Sequence, residues 1–107
     1  MLFRSQTDAT GSTANAVTIK TFDSDTTNID ITANIAGLNF VDVHTLNLSL
    51  LNDLNLDSSA DITGVDLTSI VVTGTGDFDL NTNTITGSSS TRVTLNASSL
   101  SGSATLN

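Results

Sequence analysis

The sequence predicts an all-β fold, a right-handed parallel β-solenoid of about four turns with a period near 24 residues. Three observations carry that prediction. Apolar–polar–apolar triplets such as "VTI", "VDV", "LNL" and "FDL" recur along the chain, separated by Ser, Thr, Asn, Asp and Gly. Alternation of period two is the signature of a half-buried strand. The triplets also return at a fixed distance, and the apolar residues are mainly Val, Ile and Leu, which suit a pleated surface.

Taken in order, residues 1–15 are small and polar and are expected to be a flexible leader or a remnant of expression. Residues 16–107 form the solenoid module, expected to be a piece of a longer repeat array. "VTI" at 17–19, "VDV" at 41–43 and "VDL" at 65–67 start 24 residues apart and are assigned to one face. "LNL" at 46–48, "IVV" at 70–72 and "VTL" at 93–95 are assigned to a second. "IDI" at 29–31, "LNL" at 54–56, "FDL" at 78–80 and "ATL" at 104–106 make a third. Leu38, Ile62 and Ile85 extend the pattern. The glycines of "GTG" at 74–76 read as a tight corner between "IVV" and "FDL", since no Lys follows them as a phosphate-binding loop requires. Proline is absent, so every strand is free to pair on both edges. The alternative fold is an antiparallel β-sandwich, which needs no such period and usually carries more aromatic core than four Phe.

Charge narrows the function. Eleven acidic residues against three basic ones leave a net charge of −8. Nucleic acid demands clustered Lys and Arg, and an anionic membrane surface would repel the chain. No apolar run approaches the roughly 18 residues of a membrane span, and the N-terminus lacks the apolar core of a secretory signal. Without cysteine there is no disulfide, thiol chemistry or cysteine-bound zinc.

The acidic side chains supply the candidate site. With Phe78 and Leu80 inward, Asp77 and Asp79 point outward, and one turn earlier Asp53 and Asn55 match them. On another face Asp42 is expected to stack on Asp66. Like charges facing each other across a sheet destabilise it, so either a proton or a hard cation should relieve them. Calcium, which takes six to eight oxygen ligands, is the candidate ion, held by Asp53, Asp77, Asp79, Asp42 and Asp66. His44 is expected on the outer surface beside Asp42. No G-x-S-x-G elbow or other nucleophile signature accompanies it, so no enzymatic activity is expected.

The segment "RVTLNASSLSGSATLN" and the texture of "DITGVDLTSIVVTGTGDFDL" resemble the repeat regions of bacterial S-layer proteins and of RTX-type secreted surface proteins. "GTGDFDLN" at 74–81 keeps the first glycine and the aspartate of the RTX nonapeptide, as Gly74 and Asp79, and lacks its second and third glycines. The resemblance implies an extracellular β-solenoid at the bacterial cell surface with a lattice-forming or spacer role, often calcium-dependent. The partners expected are further copies or adjacent repeats of the same protein. An adhesin-type module for carbohydrate or a host surface is the alternative, with Val71, between Asn47 and Thr94, as the apolar hint of a contact surface.

Overall fold

The computed structural model describes residues 2–4, 15–21, 31–33, 38–56, 60–89 and 91–106. These hold twelve short strands: β1 (Leu2–Arg4), β2 (Ala16–Thr21), β3 (Ile31–Ala33), β4 (Leu38–Val41), β5 (Thr45–Leu50), β6 (Leu54–Leu56), β7 (Ile62–Gly64), β8 (Ser69–Gly74), β9 (Phe78–Asp79), β10 (Ile85–Thr86), β11 (Thr94–Leu100) and β12 (Ala104–Thr105). No helix occurs among the described residues.

The strands form three four-stranded sheets, ordered β1-β4-β7-β10, β2-β5-β8-β11 and β3-β6-β9-β12. Each strand therefore pairs with the strand three places further along the chain. Every described pairing is parallel. The antiparallel sandwich is thereby set aside. Parallel neighbours need a long crossover, and here each crossover consists of two further strands and their corners.

One core serves all three sheets. Leu38 and Phe40 enter it from the first, Leu46, Leu48, Leu50, Ile70 and Val72 from the second, and Leu54, Leu56 and Phe78 from the third. Alternation does the sorting: in β5 every second residue, Leu46, Leu48 and Leu50, is buried, while Thr45, Asn47 and Ser49 are half-exposed. Each fully buried Leu, Ile or Val contributes roughly 1.5–3 kcal/mol relative to exposure. Phe40 pairs with Gly64, and a Cβ on Gly64 would stand 3.2 Å from the Phe40 Cβ and 3.0 Å from that of Leu67. A large side chain over a missing one keeps this layer filled without overpacking.

Between β4 and β9 the register repeats every 24 residues, as in Leu38↔Ile62, Leu46↔Ile70 and Leu54↔Phe78. The expected faces need correction elsewhere. "VTI" does not stack on "VDV": Val17 pairs with Leu46 and Ile19 with Leu48, five residues later than the 24-residue period predicts. The longer first step, also seen in Leu2↔Asn39, reflects extra residues between the paired strands. "VDV" and "VDL" are corners rather than strand centres. Asp42 has a left-handed backbone, φ 56°, a conformation Asp tolerates better than most residues. Gly64 to Leu67 closes as a turn, with Leu67 N donating to Gly64 O at 3.0 Å, so Leu67 is buried and Val65 is 74% exposed.

Two registers slip by two residues, which preserves the inward face. Leu95, rather than Val93, pairs with Ile70, and Ile31, rather than Ile29, pairs with Leu54. Ile29 itself lies outside the described residues. Of the expected leader, Leu2–Arg4 forms β1 against β4, and residues 5–14 lie outside the described residues.

Candidate functional site

Among the described residues the corner joining the second sheet to the third occurs at Leu51–Asp53, Thr75–Asp77 and Ser101–Ser103, and the first two of these carry the stacked pair Asp53 and Asp77. The inward phase runs straight through the corner, with Asn52 buried between Leu50 and Leu54 and Gly76 buried before Phe78, while the chain bends between the two sheets. That leaves backbone N–H groups pointing along the stack, and each needs an acceptor. Thr75 N and Gly76 N both donate to Leu50 O, at 2.8 and 3.1 Å. Ser101 N donates to Gly74 O at 2.7 Å. At the first corner Leu51 N donates to Thr21 O at 3.2 Å, and the buried Thr21 hydroxyl adds a side-chain pair, donating to Asn52 O at 2.8 Å and accepting from Asn52 N at 3.2 Å.

The aspartates complete this set. Asp77 N donates to Asp53 Oδ1 at 2.9 Å, and Ser103 N donates to Asp77 Oδ1 at 2.7 Å. Each carboxylate thus holds the next corner of the series in place. The third corner carries Ser103 where the first two carry Asp. A column of like charges is here met by N–H donors, a third form of relief besides a proton or a cation.

The other expected site residues are placed differently. Asn55 pairs with Asp79 as expected, and Asp79 Oδ1 accepts from Asn81 N at 2.8 Å, where Asn81 has φ 57°. Asp79 therefore shapes its own turn. Asp42 and Asp66 sit on the corner turns between the first and second sheets and are not part of the Asp53–Asp77 column. Among the described residues no group of three or more His, Asp or Glu side chains converges as a metal would require. His44 is half-buried rather than on the outer surface, and its Nδ1 is buried without a hydrogen-bond partner. Val71 pairs with Asn47 and Asn96, not Thr94.

Sequence reasoning missed Asp61, whose Oδ1 accepts from Thr84 N at 2.7 Å and Thr84 Oγ1 at 3.1 Å. The signal was present. Asp53, Asp61 and Asp77 each stand immediately before an inward strand residue, Leu54, Ile62 and Phe78. Asp-then-apolar at the entrance to a strand marks a side chain that caps the coil beside it.

Asp53→Ala is expected to lower stability by about 1 kcal/mol, because the Asp77 N–H loses its acceptor at an exposed position. Asp53→Asn keeps an Oδ1 and removes one of the stacked charges, so its stability should equal or exceed that of the parent. Denaturant melts of the two variants check this, and equal losses in both would rule out the capping role.

No protein-family model matches the chain, and the searches of curated proteins and of solved structures likewise found no match.

Proposed function

We propose that the three sheets are the faces of a right-handed parallel β-solenoid of about four turns. On that scaffold the chain serves as a non-enzymatic structural module of a secreted bacterial cell-surface protein, a lattice element or spacer. The observation that carries this reading is the regular pairing of each strand with the strand three further on, around one shared core. The strand–crossover–strand rule supplies the right hand. Such a stack gains length by adding coils that touch only their neighbours, which suits a spacer. The resemblance to S-layer and RTX-type repeats supports the extracellular, cell-surface setting.

Two experiments test the reading at different levels. In a chain with no cysteine of its own, the double variant Asn47→Cys/Val71→Cys should close an intrachain disulfide on mild oxidation, since those residues are register partners. Failure to close would count against the coil. For location, antibody labelling of intact bacterial cells that make the full protein should find the module accessible. Signal only after lysis would overturn the surface role.

Calcium belongs to this proposal as an ion shared by the carboxylates of Asp53 and Asp77 and nearby backbone carbonyls. A ligand that binds only the folded state must raise its melting temperature. Millimolar calcium is therefore expected to shift the thermal transition upward in the parent and not in Asp53→Asn. An unchanged transition in the parent removes the ion from the reading.

A second reading, a binding module for a neutral cell-surface glycan, is favoured by one observation. The outward positions of the second sheet carry Thr45, Asn47 and Ser49, then Ser69, Val71 and Thr73, then Thr94, Asn96 and Ser99, with no carboxylate among them. A selective hit on a glycan array would support it, and a blank array leaves the structural role.

A further inference from the structure

The corner between the first and second sheets widens along the stack. It takes residues 42–44 between β4 and β5, 65–68 between β7 and β8, and 87–93 between β10 and β11. Register partners bracket the last two of these, Ile62 with Ile85 on one side and Ser69 with Thr94 on the other. Residues 65–68 and 87–93 are therefore stacked neighbours, at roughly the 4.8 Å between adjacent strands. At the widened corner lies a cleft of about 440 Å³, lined by Ile85, Ser88, Thr91, Arg92, Val93 and Leu95. Its apolar side chains Ile85, Val93 and Leu95 are only partly buried. Arg92 is exposed, and it is the single charged side chain of residues 81–107.

The corner below carries the opposite features. Val65 is the most exposed large apolar side chain among the described residues, and the next residue is the half-exposed Asp66. Among the described residues neither Asp66 nor Arg92 makes an ion pair. An apolar knob beside a carboxylate thus lies one level below an apolar hollow beside a cation. Such a surface is complementary to itself when turned over. A two-fold axis perpendicular to the stack, passing between the two levels, sets each knob against the other molecule's hollow.

We propose that a second copy of this chain docks on this corner about that axis, with Val65 of each molecule seated in the cleft of the other and Asp66 of each paired with the other's Arg92. This rests on the solenoid reading above for the turn of the chain from sheet to sheet, and it adds the partner and the residues of a lateral contact. An isologous contact is reciprocal, so the apolar insertion and the ion pair each occur twice. An apolar centre with charge at its rim is the usual anatomy of a protein interface. The patch covers one corner of each molecule, so the dimer should be reversible. Because the contact closes on itself, it stops at two copies.

Sedimentation velocity over a concentration series tests the proposal. The parent should pass from monomer to dimer without larger species, and high salt should reverse the shift, because exposed charge pairs are screened. Arg92→Glu should weaken the dimer at least about tenfold, a like-charge penalty of about 1.4 kcal/mol or more. Asp66→Arg should weaken it similarly. The double variant Asp66→Arg/Arg92→Glu should return to within about threefold of the parent, since the pairs re-form with their charges exchanged. Val65→Ser should also weaken the dimer while its urea midpoint as a monomer stays with the parent's, because that side chain is exposed. A parent that stays monomeric to roughly 1 mM, an Arg92→Glu protein that dimerises as the parent does, or a folded double variant no tighter than either single one would each overturn the proposal. If the intrachain Asn47–Val71 disulfide forms while the parent stays monomeric, the dimer fails and the coil stands.

Discussion

Gly74→Ala is expected to destabilise the protein by at least about 3 kcal/mol. Gly74 has φ +111°, outside the small left-handed region that other residues occasionally occupy. A Cβ there would also run into the carbonyl oxygen of Leu50. That oxygen cannot retreat cheaply, because it accepts both Thr75 N and Gly76 N at the same corner. Backbone strain and the disturbance of two hydrogen bonds therefore fall on one substitution. The loss is large against the ~5–15 kcal/mol that typically separates folded from unfolded chains. Urea melts followed by far-ultraviolet circular dichroism would read the change. A variant within 1 kcal/mol of the parent, on the scale of an ordinary surface change, would show that the corner can re-form without the glycine.

Phe78→Ala is the second large effect, at about 3–5 kcal/mol. Phe78 is 1% exposed, pairs with Leu54 on one side and Ala104 on the other, and belongs to the shared core. Its ring fills a layer whose other neighbour, Ala104, is too small to close the gap. The lost transfer energy is then joined by the energy of a residual cavity. Phe78→Leu keeps most of the volume and should cost under about 1.5 kcal/mol. A Phe78→Ala loss no larger than that of Phe78→Leu would mean that the stack collapses to fill the space.

These two residues also show what the sequence discloses and what it conceals. The 24-residue recurrence of Leu46 with Ile70 and of Leu54 with Phe78 is written in the apolar alternation, because burial on one face permits only one phase. Gly74 and Gly76 are legible as a corner since only turn chemistry explains two glycines between strands. The first coil is not legible in this way. Extra residues between β2 and β5 put Leu46, rather than Val41, beside Val17, and alternation alone carries no memory of insertions. "VDV" and "VDL" mislead for a related reason: a left-handed Asp42 and the Gly64–Leu67 turn imitate strand periodicity over three residues. Alternation is enough to set Asp53 and Asp77 outward and one above the other, and it says nothing of their partners. A backbone N–H one coil away has no side-chain signature, so the donors that meet these carboxylates become visible only when register is known.

The pairing distances carry a kinetic consequence. No described strand pairs with a neighbour closer than 23 residues along the chain, as in Ile62 with Ile85 and Ile31 with Leu54, so the described residues contain no hairpin to nucleate locally. Strands distant in sequence must meet before any backbone bond between them is made, so loop closure is spent in advance of its return. Once β5 and β8 are joined, each later strand adds to a finished edge. Amide exchange should accordingly be slowest in these central strands and quicken toward β2 and β11, where the edge strands open without disturbing the middle.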